Sequence, residues 1–254
     1  MSPHETLLSS NIAAAALTDI GRVRTNNEDT YAIDADHALY LVCDGMGGMT
    51  AGEVASELAC TTVLNIFAAQ SPGAPLEDRL ATAIETANAA VYRAGHPAGD
   101  PGARGMGTTL VAAAIAGSQL LIANVGDSRA YLLQQNSWQQ VTADHSYINE
   151  LIEKGGISPE QAEAPEFNRF ASIITRAIGV HETVQPDFFE IELADGDLVL
   201  LASDGLTRYL DAEDFAALID PADLEGSCNR LIDSAKSQGG VDNITCLLLR
   251  YQAG

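Results

Sequence analysis

The chain has 254 residues, room for one large domain or two small ones with a sizeable buried core. Hydrophobic residues at 46% and charged residues at 19% are ordinary globular values and exclude wholesale disorder. Thirteen Lys plus Arg against 35 Asp plus Glu leave a net charge of -22, which repels nucleic acid and anionic membrane, since both demand a basic footprint.

In chain order the spacing predicts strands over 12–17, 30–34, 39–43, 108–115, 119–125, 130–133, 138–141, 184–190, 198–202 and 243–249. Helical spacing falls at 53–69, 76–94, 147–153, 212–218 and 224–237. In the first of these helices Val54, Leu58, Val63 and Ile66 recur as one apolar stripe and are expected to form its buried face. Strand neighbours joined by short turns, as at 33–38 and 116–119, argue antiparallel pairing, because parallel strands need a long crossover. Helices fall in blocks between groups of strands, so the expected class is α+β, with antiparallel sheets and helices outside. One domain spanning 1–254 is expected. The segment from His145 to about residue 173 is polar and irregular, with Gly155, Gly156, Pro159 and Pro165, and is expected to form a mobile flap.

Cys43, Cys60, Cys228 and Cys246 form no CxxC pair, and three sit inside apolar runs, so reduced core thiols in a cytoplasmic protein are expected. The first Lys or Arg is Arg22, which leaves the N-terminus without the positive region of a signal peptide. No apolar run approaches the ~18 residues that a spanning helix needs.

The acids fall in a repeated place. Strand-like runs end in Asp44-Gly45, in Gly126-Asp127 and in Asp204-Gly205, while Glu28-Asp29 and Asp242-Asn243 precede two others. In antiparallel sheets the end of one strand lies beside the start of its neighbour, so one edge could gather Glu28, Asp29, Asp44, Asp127, Asp204 and Asp242. Crowded carboxylates repel unless protonated or neutralised by a cation, and an all-oxygen donor set selects Mg²⁺, Mn²⁺ or Ca²⁺. Each acid also has a plainer reading. Asp-Gly after a strand is an ordinary turn, Asp204 is placed to cap a short helix beginning near Leu206, and Glu28 and Asp29 alone would be solvated surface acids.

Seven strings in order resemble the bacterial branch of the PPM (protein phosphatase 2C-like) family. They are Thr18-Asp-Ile-Gly-Arg-Val-Arg-Thr-Asn-Asn-Glu-Asp29, Val42-Cys-Asp-Gly-Met-Gly-Gly48 with Ala51-Gly-Glu-Val-Ala-Ser56, Gly107-Thr-Thr-Leu110, Asn124-Val-Gly-Asp-Ser-Arg-Ala-Tyr131, Ile174-Thr-Arg-Ala-Ile-Gly179, Ser203-Asp-Gly-Leu206 and Gly240-Val-Asp-Asn-Ile-Thr245. The resemblance implies two packed antiparallel sheets flanked by helices, a four-layer αββα sandwich, carrying a protein serine/threonine phosphatase that uses Mg²⁺ or Mn²⁺. It implies two tightly bound ions bridged by Asp44, with the Gly45 carbonyl, Asp204 and Asp242 completing their shells and Glu28 and Asp29 close by. Asp127 with Asp204 resembles a third, weaker site, and Arg24 matches an arginine that grips the substrate phosphate. A water shared by the two ions would then supply hydroxide for in-line attack on phosphorus. Arg129 is expected to orient Asp127 or the sheet edge. The implied partners are phosphorylated proteins and a Ser/Thr kinase, for a monomer without nucleic acid or membrane.

One departure stands out. Members often carry a histidine directly after the Asp-Gly or a few residues on, where this chain has Met46 and Met49. His145 opens the irregular segment and reads as a loop or cap residue. Rival readings are a metal-dependent module that binds phosphoproteins without turnover, and a phosphatase of small metabolites on the same scaffold.

Overall fold

The computed structural model describes residues 5–8, 11–47, 51–96, 105–162, 164, 167, 170 and 173–253. Strands are β1 (Glu5–Leu8), β2 (Ile12–Asp19), β3 (Asp29–Asp34), β4 (Leu39–Met46), β5 (Gly107–Thr108), β6 (Leu110–Ala116), β7 (Gln119–Val125), β8 (Arg129–Gln134), β9 (Ser137–Gln140), β10 (Asp187–Glu192), β11 (Leu198–Ala202) and β12 (Ile244–Tyr251). Helices are α1 (Ala51–Ala69), α2 (Leu76–Gly95), α3 (Tyr147–Glu153), α4 (Pro159–Ala162), α5 (Asp204–Thr207), α6 (Ala212–Leu218) and α7 (Leu224–Gln238). One sheet runs β1-β2-β12-β11-β8-β9 and the other β10-β7-β6-β4-β3, with β5 beside β4; every pairing is antiparallel.

Side-chain alternation along the strands builds the layers. In β6, Leu110, Ala112 and Ala114 face the core under α1 and α2, while Val111, Ala113 and Ile115 face the space between the sheets. In β12, Leu247 and Leu249 enter that inter-sheet core, whereas Ile244, Cys246 and Leu248 pack with Phe215, Leu231 and Ile232 beneath α6 and α7. Three apolar cores therefore separate four layers, helix–sheet–sheet–helix, which is the expected sandwich.

Several elements depart from the sequence reading. Of the stripe expected to be buried on α1, Val63 is buried, and Leu58 and Ile66 pack against the core from its flanks. The face is rotated away from Val54, which is 48% exposed, toward Gly52, Ala55, Ser56, Ala59, Cys60 and Phe67. Small residues on the first turns of the inner face, Gly52, Ala55, Ser56 and Ala59, let the helix lie close to β4, with Val63 and Phe67 filling the core further along. β10 starts at Asp187 rather than residue 184, because Pro186 has no N–H to give a ladder. The run predicted over 108–115 is broken at Thr109, whose N–H and hydroxyl turn instead to Asp44. β1, only four residues long, carried too little alternation to read. Of the flap expected over 145–173, residues 163, 165, 166, 168, 169, 171 and 172 lie outside the described residues. Among the described residues no helix is long and apolar enough to cross a membrane.

The rotated face of α1 gives a direct test. Val63→Ala should lower stability by about 2 kcal/mol, and Val54→Ala should stay within ~0.5 kcal/mol, read from urea midpoints at constant slope. Equal losses would return the buried face to the stripe through Val54.

Candidate metal centre

Alternation also aims the acids. Tyr40 and Val42 of β4 point between the sheets, so Asp44 follows them on that side, and Asp29 lies opposite it in register. β11 ends at Ala202 and hands on to Ser203 and Asp204, while Asp242 and Asn243 lead into β12 beside it. β7 ends at Val125 and passes to Gly126-Asp127 before β8 begins. All these termini lie at one end of the sandwich, around a pocket of about 220 Å³ lined by Arg24, Glu28, Asp44, Gly45, Met46, Gly47, Asp127, Ile174, Asp204 and Asp242. Thus six of the sequence-predicted acids and carbonyl donors line one pocket, and Asp29 lies just beneath it with 7% exposure.

The backbone around Asp44 is tied from three directions. Its N–H donates to the Thr109 hydroxyl at 2.9 Å, and its carbonyl accepts from Thr109 N–H at 2.8 Å and from the Thr108 hydroxyl at 2.9 Å. Gly45 sits where a Cβ would meet the carbonyl oxygens of Gly52 at 2.2 Å and Glu28 at 2.6 Å, so only glycine lets these segments close. The Gly126 backbone, with φ at 113°, likewise leaves no room for a Cβ against Thr109.

Burial and mutual repulsion act on the carboxyls together. Burial first, then the charges of Asp29, Asp204, Asp127 and Asp242, push Asp44 well above the usual carboxylate range. Asp29 is pushed up to about 7 by burial, although the Thr245 and Ser203 hydroxyls donate to its Oδ2 at 2.7 and 2.8 Å. Asp127 is also pushed up to about 7, by burial and by Asp204 and Asp144. Glu28 is raised by burial, with Arg24 opposing. Oδ1 of Asp29 and Oδ1 of Asp127 are buried without a hydrogen-bond partner. Two orphaned carboxylate oxygens amid like charges are what a bound cation would satisfy, and the all-oxygen set suits Mg²⁺ or Mn²⁺. Among the described residues no three His, Cys, Asp or Glu side chains close on one point tightly enough to hold an ion by themselves. Arginines draw two of them aside, Arg208 pairing with Asp204 at 2.6 Å and Arg24 with Asp242 at 2.8 Å. Such a shell is open to backbone carbonyl and water, which Mg²⁺ normally retains.

Four residues take parts that the sequence did not reveal. Asp204 opens α5 rather than capping it; Ser203 holds the cap position. Arg129 grips Asp144 with both Nε and Nη2, at 2.9 and 2.7 Å, tying the start of β8 to the segment after β9, and its charge reaches Asp127. His145 is a loop residue, as expected, but a buried one: it is 7% exposed, and its Nδ1 accepts from the Gly126 N–H at 3.0 Å. Because a backbone N–H only donates, Nε2 carries the proton and donates to Asp187 at 3.1 Å. His145 therefore fixes the Gly126-Asp127 turn, and burial lowers its pKa, keeping the ring neutral. Asn243 is a second unforeseen tie: its amide donates to the carbonyls of Ile20 and Asn26 and accepts from the Glu28 N–H. Its signal was its place directly after Asp242 at a strand start. Met46 lines the pocket, and Met49 lies outside the described residues. The Cys43 thiol is fully buried, and hydrogen bonding with Cys60 together with burial pushes it well above the usual range, so it is no thiolate nucleophile. All four cysteines are free and buried, as expected.

Sheets that end together on a nest of oxygen donors, with an arginine at the rim, make the layout of a metal-dependent phosphoryl hydrolase. Comparison with known proteins is consistent with that class. The family model described as protein phosphatase 2C matches residues 21–240. Protein phosphatase PhpP of Streptococcus pneumoniae is 38% identical over 240 residues, spanning 92% of this chain and 95% of that protein. The crystal structure of the Mycobacterium tuberculosis serine/threonine phosphatase PstP/Ppp superposes with a TM-score of 0.85 at 36% identity, covering 95% of this chain and 99% of that one. The catalytic domain of the serine threonine protein phosphatase PstP in complex with 2 manganese ions superposes at 0.82 with 35% identity, covering 95% and 99%. The chain belongs to the protein phosphatase 2C family and is a protein serine/threonine phosphatase.

The raised carboxyls set a measurable proton count. Below about pH 7 the cation-free fold keeps protons on Asp29 and Asp127 that the unfolded chain gives up near 3.8, so these groups cost the fold stability as pH rises from about 4 to about 7. Binding a cation must expel those protons. Mn²⁺ added in weak buffer at pH 6 should release about two protons per chain from Asp29 and Asp127, beside any that Asp44 holds, and fewer at pH 9. A release independent of pH would contradict the shifted carboxyls.

Proposed function

We propose that the pocket is the catalytic centre of one phosphatase unit spanning the chain, and that its oxygen donors hold two Mg²⁺ or Mn²⁺ ions tightly and a third weakly. Asp44 would serve both tight ions, with the Gly45 carbonyl, Asp204 and Asp242, which line the same pocket, as the further donors that would hold them. Glu28 and Asp29 act from behind, Asp29 by pinning the ends of β3, β11 and β12 through the Ser203 and Thr245 hydroxyls. Asp127, held in place by the Gly126 turn, belongs to the weaker site with Asp204. One observation carries this reading: burial and the charges of Asp29, Asp204, Asp127 and Asp242 together raise the proton affinity of Asp44, with two buried oxygens, on Asp29 and Asp127, left unsatisfied. When bound, the ions supply Lewis acidity and a nucleophile derived from water.

The chain's own residues do the rest. Arg24 sits half-exposed at the rim, bonded to Asp242, and is placed to turn its fork to the oxygens of an entering phosphate. Among the described residues no histidine lines the pocket, so a water held at the centre would give the leaving serine or threonine alkoxide its proton. Phosphorylated proteins are the substrates. A Ser/Thr kinase that makes those phosphosites is the natural partner in signalling, with the enzyme acting as a cytoplasmic monomer.

Asp44→Asn should abolish turnover, because a neutral amide is a poor ligand for two hard cations. The reading fails if the purified variant keeps more than about a tenth of wild-type kcat, a loss under ~1.4 kcal/mol. Arg24→Ala should raise KM for phosphopeptides with metal affinity near wild type. Unchanged KM and kcat would leave Arg24 as no more than the ion-pair partner of Asp242.

A further inference from the structure

Among the described residues, most large apolar side chains are packed into the three cores, and several exceptions gather at the mouth of the pocket. Val23 is 65% exposed and Val241 41%, and each adjoins a pocket residue, Arg24 and Asp242 respectively. Two ties bring their segments together: the Arg22 N–H donates to the Gly240 carbonyl at 2.7 Å, and Arg24 meets Asp242 at 2.8 Å. The two valines lie between those ties, one on each segment. On another wall Ile174 lines the pocket; its neighbour Ile173 is 43% exposed. Tyr147, 40% exposed, is bound to it through the Tyr147 N–H and the Ile173 carbonyl at 2.9 Å. Phosphate and cations need charge and oxygen, so nothing in the chemistry of the centre calls for these side chains.

We propose that this apolar rim receives the residues on either side of the phosphorylated one in an extended segment of a phosphoprotein. An extended chain advances about 3.3 Å per residue, so positions within two of the phosphoresidue lie about 7 Å or less from it, beside the pocket mouth. The net charge of -22 repels acidic segments at long range. The segment that fits is apolar next to the phosphate and neutral or basic beyond it. The inference rests on the phosphatase reading above and adds which phosphosites the enzyme prefers.

The test uses the full chain with Mn²⁺ and three phosphothreonine peptides, identical except for two residues on each side of the phosphate: leucine and valine, serine and glycine, or glutamate. Para-nitrophenyl phosphate, which has no flanks, reads the centre alone. The expected kcat/KM is about tenfold higher for the apolar-flanked peptide than for the serine–glycine one, and lowest for glutamate. Val23→Ser and, on the other wall, Ile173→Ser should each raise KM for the apolar-flanked peptide about threefold or more. The same variants should leave the serine–glycine peptide and para-nitrophenyl phosphate within about twofold. Equal wild-type rates on the apolar and serine–glycine peptides, or equal losses on every substrate, overturn the apolar rim while leaving the phosphatase reading intact. Absence of turnover on all substrates sinks that reading and this inference with it. A stable dimer in sedimentation that Val23→Ser dissociates would also overturn it, by assigning the rim to a second copy of the chain.

Discussion

Asp29, Asp44, Asp127, Asp204 and Asp242 repel one another at the joined ends of two sheets, and the fold holds them there. The bonds that oppose this repulsion come from elements far apart in sequence. Thr109 and Thr108 fix the Asp44 backbone, Ser203 and Thr245 fix the Asp29 carboxylate, and His145 fixes the turn before Asp127. The same sites are therefore costly without a cation and favourable with one, which couples the integrity of this end of the sandwich to metal binding.

The sandwich beneath makes this possible by its alternation. Because β4 sends Leu41 and Cys43 to the helix side and Val42 to the other sheet, Asp44 cannot avoid the inter-sheet space, and its partner Asp29 arrives there in register. The Gly45 and Gly52 backbones then meet with no Cβ between them, closing α1 onto the pocket floor.

This logic also explains what could be read from the sequence. Strands with clean alternation and short turns were legible, and Gln119–Val125 and Leu198–Ala202 fall at the expected residues. The acids were legible because each stood at a strand end, three of them (Asp44, Asp127 and Asp204) beside glycine. The turned face of α1 was not, since spacing favours the largest apolar residues, whereas packing against β4 selected small ones such as Ala55 and Ala59. Nor were the ties made by His145, Asn243 and Arg129, because each depends on a partner brought near only by the fold: Gly126, Ile20 and Asp144. A lone histidine in a polar stretch carries no mark of the turn that it will hold.

The central claim is that cations at Asp44 are what this arrangement of carboxylates exists to bind. Crystals grown with Mn²⁺ and measured at the manganese edge test it most directly, since anomalous scattering locates the metal independently of any assay. The account predicts two strong peaks sharing the Asp44 carboxylate, as expected of a relative of the PstP catalytic domain that holds 2 manganese ions. Ordered manganese elsewhere on the chain, with none bonded to Asp44, would contradict it.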